Sequence, residues 1–127
     1  MSRRQKILLV DHDPAASYVI SMILKLNNFD VIPYSDPELA LSDFKKGLYD
    51  LILVDLDMKG MNGFELYKKM SQIDDKVRVC FTTDQRARHL DEFKITFPKF
   101  PSTCLTHKPV GTDDLLHILW LNLADNK

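Results

Sequence analysis

Cysteine is almost absent from this chain, with two in 127 residues, and glycine is nearly as scarce at four. Cys80 and Cys104 are too few and too isolated for a disulfide framework, and each sits in an apolar, strand-like run where a thiol behaves as a small hydrophobe. Both are expected to be buried and free. Nor is there an excess of one charge. The 17 basic side chains meet 18 acidic ones for a net charge of -1, which removes the electrostatic case for binding nucleic acid or a membrane surface. No segment approaches the ~20 apolar residues of a membrane span. The run after "MSRRQK" is too short for a signal peptide, so a cytoplasmic protein is expected. Internal repeats and low-complexity linkers are missing too. Residues 1–127 therefore read as one domain, long enough to bury a core without disulfides or a structural metal.

What is present is an alternation of short apolar runs with helical patterns, the mark of βαβ units and a parallel sheet. The strand candidates are "KILLV" (6–10), "DVIPY" (30–34), "LILVD" (51–55), "VRVCFT" (77–82) and "CLTH" (104–107). The first and third are apolar as central parallel strands are, whereas Pro33 demotes the second to an edge. Asp13-Pro14 and Asp36-Pro37 each place an N-cap before a proline at the first helical position. The first helix carries Val19, Ile20, Ile23, Leu24 and Leu26 on one stripe and fades at Asn27-Asn28; the second, with Leu39, Leu41 and Phe44, ends at Gly47. A third follows Gly63. A fourth is expected only from Gln85 to Phe93, because Ile95, Thr96, Pro98 and Pro101 shorten it, and Phe93, Phe97 and Phe100 are expected to cover the sheet edge. The last starts with Thr112 as N-cap and Asp113 and Asp114 in its first turn, and runs through Leu115, Leu116, Ile118, Leu119 and Leu123.

In such a sheet, ligands collect outside the carboxyl ends of the strands. Every suggestive residue falls there: Asp11 and His12 after strand one, Asp55 closing strand three, Thr82 and Thr83 closing strand four, Lys108 after strand five. Crowded carboxylates must be neutralised by a cation, a proton or a lysine. A divalent cation on one or two carboxylates, completed by water and a substrate phosphate, is the habit of Mg²⁺, and it points to phosphoryl chemistry. Lys108 would then hold phosphate oxygens and Thr83 would donate its hydroxyl to another, with Asp55 as the nucleophile of an aspartyl phosphate. Strand parity decides whether Thr82 or Thr83 faces the rim.

Taken in order, "ILLVDHDP", "DLILVDLDMKGMNGFEL", "FTTD" and "HKP" resemble the four signature segments of response regulator receiver domains of two-component systems, over essentially the whole chain. The resemblance implies a flavodoxin-like fold with strand order 2-1-3-4-5, the order of the chemotaxis member of this family. It further implies a phosphoacceptor at Asp55, a switch hydroxyl at Thr83, a phosphate-binding Lys108, and Mg²⁺ or Mn²⁺ held by Asp11, Asp55 and the backbone carbonyl of Asp57. A histidine kinase or phosphotransfer protein would supply the phosphoryl group, and a downstream protein would read it by contact. No output domain fits beside the receiver, and at most Asp55 phosphorylates and dephosphorylates itself.

The departures are specific. His12 stands where the family supplies the acid that binds Mg²⁺ directly, and imidazole suits Zn, Cu, Fe or Ni. His12 either selects a softer metal or, protonated between acids, stands in for part of the cation's charge. Leu105 replaces an aromatic switch, and Lys59 and Asn62 replace a proline and an aspartate in a loop whose turn chemistry Gly60 and Gly63 keep. Asp57 either influences attack of water on a phosphoaspartate or points to solvent. His89 and His117 read as surface residues, and Trp120 as core filling; Cys104 and His107, three apart on a strand, fall on opposite faces.

Three rival functions follow. A degenerate receiver would bind partners without phosphorylation. A phosphatase resembling the haloacid dehalogenase family would use "DLD" (55–57), but those enzymes carry that pair near the chain start and need a second acidic motif. A flavin-binding domain would need a hydroxyl-rich or glycine-rich loop after strand one.

Overall fold

A computed structural model describes residues 4–124. Five strands, β1 (Lys6–Val10), β2 (Asp30–Tyr34), β3 (Leu51–Asp55), β4 (Arg78–Thr83) and β5 (Leu105–His107), form one parallel sheet in the order β2-β1-β3-β4-β5. Between and after them run α1 (Pro14–Leu26), α2 (Pro37–Asp43), α3 (Gly63–Ile73), α4 (Arg86–Thr96) and α5 (Thr112–Ala124). β3 lies between β1 and β4 and is buried along its whole length, which is why it reads apolar on both faces. Pro33 lies on the edge strand β2 opposite Leu9, as its missing N–H requires.

The sheet separates two cores. One packs Ile7, Leu9, Leu53 and Cys80 against Ile20 and Leu24 of α1 and Leu115 and Leu119 of α5. The other packs Leu8, Val54 and Phe81 against Ala40 of α2, Phe64 and Leu66 of α3, and Phe93 of α4. Helix starts follow the caps: the side chains of Asp13, Asp36 and Asn62 accept from the backbone N–H groups of Ala15, Glu38 and Glu65 at 3.0, 2.9 and 2.9 Å. Asn62 is thus itself a helix cap.

Several sequence expectations need correction. β4 starts at Arg78 and includes Thr83, and β5 starts at Leu105 because Cys104 belongs to a short 3-10 turn, Ser102–Cys104. α2 stops at Asp43, with Phe44 already extended; Gly47 lies in the loop beyond at φ +79°. Thr112 is helical itself rather than the residue before the helix. Val19 and Leu26 of α1 and Leu39 of α2 face solvent, so the buried stripes are narrower than the apolar ones. Trp120 is 52% exposed and leans on Phe29 with ring centres 5.2 Å apart, so it caps the core instead of filling it.

The largest difference is α4, which continues through Ile95 and Thr96. Its propensity is poor, and packing decides the matter. Phe93 and Phe97 join Phe64 and Phe81 in a cluster of rings 5.0–6.3 Å apart, and Phe97 stacks on Phe100 at 5.0 Å. Through Phe81 these rings cover the face of β4, and α4 also packs on the edge strand β5.

At the start of α3, the helix comes down onto the end of β3. A Cβ on Gly63 would lie 2.8 Å from the Asp55 carbonyl oxygen and 2.9 Å from side-chain carbons of Val54 and Leu56. Backbone cannot yield cheaply there. Gly63→Ala is expected to lower stability by about 1–3 kcal/mol in a urea titration; an unchanged midpoint would contradict this packing.

Candidate functional site

The strand ends bring the expected residues together. Asp11 follows β1, Asp55 ends β3, Thr83 ends β4 and Lys108 follows β5, whose exit is pinned by a 2.8 Å bond from the Lys108 N–H to the Thr83 carbonyl. Both acids are about 1% exposed. The Lys108 ammonium bridges them, 3.0 Å from Asp11 Oδ2 and 3.3 Å from Asp55 Oδ2. The other oxygen of each acid is held by backbone: the Asp13 N–H donates to Asp11 Oδ1 at 2.9 Å and the Asp57 N–H to Asp55 Oδ1 at 3.0 Å. Two turns thus fix both carboxylates, and one ammonium sits between them.

Burial raises the Asp11 carboxyl above its ordinary 3.8, with the Asp13 N–H and Lys108 only partly offsetting it. Burial also works against the Lys108 ammonium, but Asp11 and Asp55 outweigh it and hold its pKa above the usual 10.5. The three groups make a largely buried, partly compensated charge cluster, with one negative charge left over when all are ionised.

His12 enters from the solvent side. Its ring is half exposed, and Nδ1 lies 2.6 Å from Asp55 Oδ2 and 3.9 Å from Asp11 Oδ1. Asp11, His12 and Asp55 place their potential donor atoms within 4.8 Å of one another, the one group of this kind among the described residues. Asp13 is not part of it, being the cap of α1.

Thr83, not Thr82, faces this rim. It is fully buried, and its hydroxyl donates to Asp57 Oδ2 at 2.6 Å while accepting from the Gln85 N–H at 3.0 Å. Asp57 therefore does not point freely to solvent. Its other oxygen is 3.0 Å from Nε2 of His89, whose side chain is only 20% exposed. The surface position expected for His89 is thus corrected: it ties α4 to the β3–α3 loop, and Phe64 lies edge-on to its ring at 6.3 Å. The available sequence signal is slight: Gln85 to His89 is one helical turn from the strand end, which turns residue 89 back over the rim. The expectation for Asp57 as a metal ligand concerns its backbone carbonyl; its carboxylate is committed to Thr83 and His89.

Burial pushes Asp57 upward, yet the bonds from Thr83 and His89 bring its pKa below the ordinary 3.8. A depressed carboxyl pKa contributes stability that is present above 3.8 and lost as pH falls through the lower folded value. His89→Ala is expected to move the Asp57 titration upward, read by carboxyl ¹³C shifts, and to flatten that acid limb. A titration that stays in place would mean that Thr83 alone holds the group.

A cavity of about 670 Å³ between Tyr67, Lys76, Lys99, Cys104 and Asn122 opens near the start of β4, away from these acids. Cys80 and Cys104 are free and buried as expected, each bonded to the Asn122 amide at 3.2 and 3.1 Å, and His107 is exposed.

A five-stranded 2-1-3-4-5 sheet with paired acids, a hydroxyl and a lysine along one rim defines the CheY-like receiver class. The chain belongs to the response regulator receiver domain family, whose sequence profile matches residues 7–119. Among curated relatives, the DNA-binding response regulator MtrA of Mycolicibacterium smegmatis is 36% identical over 63 residues, 50% of this chain. That match spans only 28% of MtrA. Sporulation initiation phosphotransferase F of Bacillus subtilis is 29% identical over 79 residues, 62% of this chain and 64% of its own. In fold, the CheY-like receiver domain protein of Methanospirillum hungatei superposes with a TM-score of 0.82 at 21% identity, over 97% of this chain and 96% of that one. Receiver domains as a family are phosphorylated on an aspartate, bind Mg²⁺ in the acidic pocket and interact with histidine kinases or phosphotransfer proteins. Among the described residues no helix is long and apolar enough to cross a membrane.

Proposed function

We propose that this chain is a phosphoryl-accepting receiver in which Asp55 takes a phosphoryl group from a phosphohistidine on a kinase or phosphotransfer protein. A carboxylate oxygen of Asp55 forms the new O–P bond, the N–P bond of the donor breaks, and the imidazole leaves with the electron pair. The observation that carries the reading is the bridging Lys108, 3.3 Å from Asp55 and 3.0 Å from Asp11. It lowers the charge that an incoming phosphate meets and can follow the phosphate oxygens as a point charge. Thr83 supplies a hydroxyl on the same rim, and it can reach a phosphate oxygen only by giving up Asp57. The phosphoryl group would therefore compete with the Asp57–His89 link and loosen α4, and the signal would pass to a downstream protein by contact.

An all-oxygen Mg²⁺ site does not fit the donors present. Mg²⁺ demands near-octahedral oxygen ligands and keeps several waters, whereas the partner nearest to Asp55 Oδ2 is the imidazole Nδ1 at 2.6 Å.

A second reading rests on the same contact. His12 and Lys108 already satisfy Asp55 Oδ2, and Leu105 is buried where the family often carries an aromatic switch. Such a domain could bind its partner without phosphorylation. Intact mass after incubation with a small phosphodonor separates the two. One added phosphoryl group, absent in Asp55→Asn, supports the receiver; an unchanged mass with and without divalent ions overturns it in favour of the second reading.

A further inference from the structure

We propose that Asp11, His12 and Asp55 form a site for a borderline first-row divalent ion, represented by Zn²⁺, with His12 Nδ1 as a ligand, and that this ion takes the place Mg²⁺ holds in the family. The inference builds on the receiver reading, since it concerns the same rim. Its physical basis is the identity and placement of the three donors. Oxygen-only sites suit Mg²⁺, whereas an imidazole nitrogen with two carboxylates suits Zn²⁺ and its neighbours in the series.

The placement is that of a nearly formed site. The two carboxylates are buried and each has one oxygen anchored by a backbone N–H, so neither has to be ordered when an ion arrives. Nδ1 of His12 is the ring atom aimed at them, at 2.6 Å from Asp55 Oδ2 and 3.9 Å from Asp11 Oδ1. A tetrahedral ion with Zn–N and Zn–O bonds of about 2.0–2.1 Å needs its donors about 3.3 Å apart. The observed separations bracket that value. The half-exposed ring can withdraw the fraction of an ångström that the shorter one requires. Lys108 leaves the cluster one negative charge, which a dication reverses, and water or a phosphoryl oxygen would complete the shell of a four-coordinate ion.

Almost any mixed nitrogen and oxygen site prefers Zn²⁺ to Mg²⁺, so the preference alone decides nothing. Dependence on residue 12 does. The experiment titrates the tag-free full chain, its His12→Ala variant and its His12→Asp variant with Zn²⁺ and with Mg²⁺ separately, without a phosphodonor. The expected result is Zn²⁺ binding weakened at least about tenfold in His12→Ala and Mg²⁺ binding strengthened at least about tenfold in His12→Asp, in line with the loss or gain of one ligand. The ¹⁵N resonance of Nδ1 in His12 is expected to shift on adding Zn²⁺ to the wild type. Equal Zn²⁺ affinity in wild type and His12→Ala, or a silent His12 nitrogen, would show that Zn²⁺ binds elsewhere and overturn the proposal. Equal Mg²⁺ affinity in wild type and His12→Asp would overturn it as well. Because the phosphodonor mass experiment is separate, a failed metal site with a phosphorylated Asp55 leaves the receiver reading standing.

Discussion

Lys108→Met is expected to cost about 3 kcal/mol of stability, the lower end of what is lost when one partner of a buried ion pair is removed. The methionine fills the space of the lysine stem, so the loss is electrostatic. Asp11 and Asp55, both about 1% exposed, would be left with the half-exposed His12 as their nearest side-chain partner. Phosphoryl uptake by Asp55 is expected to fall about a hundredfold, the scale of removing one preorganised charge-stabilising group. Its pH signature separates this effect from simple cavity formation. The folded pKa of Lys108 lies above the usual 10.5, so its contribution is complete below that value and is lost as pH rises through the folded pKa. Urea midpoints of wild type and variant should therefore converge above pH 10.5. A constant gap across that range would assign the loss to packing.

Phe81→Ala is expected to cost about 3–5 kcal/mol, the range for emptying a fully buried phenylalanine site. Phe81 has no exposed surface, and its ring meets Phe64, Phe97, Tyr67 and Phe93 with centres 5.0, 5.5, 6.0 and 6.2 Å apart. No ring in that set can collapse into the gap without abandoning another. Since the same rings hold α4 down, its amide hydrogens should exchange faster in the variant than those of α1. Trp120→Ala is the contrasting case. Half exposed and in contact with Phe29, it is expected to cost well under the Phe81 value, and a loss as large would restore Trp120 to the core.

Residues that sit at strand ends are legible because strand ends are. "LILVD" marks both the central strand and its terminal acid, and the same holds for "ILLVD", so Asp11 and Asp55 need only the topology to meet. Lys108 follows from the exit of β5 in the same way. What escapes are contacts set by helix rotation. His89 is 32 positions from Asp57, and α4 has weak periodicity, so beyond its distance of one turn from the strand end little local tells which side it presents. Its length is hidden for the same reason. Ile95 and Thr96 argue against a helix locally, and the Phe93–Phe97 spacing that overrides them acts only once β4 and α3 present Phe81 and Phe64. Trp120 is misplaced because bulk alone does not say whether a helix position faces in.

The two outermost strands differ in how they refuse company. In β2, Pro33 removes one amide donor from the row a newcomer would need. In β5, only three residues long, the Arg86 guanidinium donates to the carbonyl of Leu105 at 2.7 Å and to that of Ser102 at 3.1 Å. A stray β-segment thus meets a missing hook at one border and an occupied one at the other, so crowded copies have little means of zipping sheet to sheet.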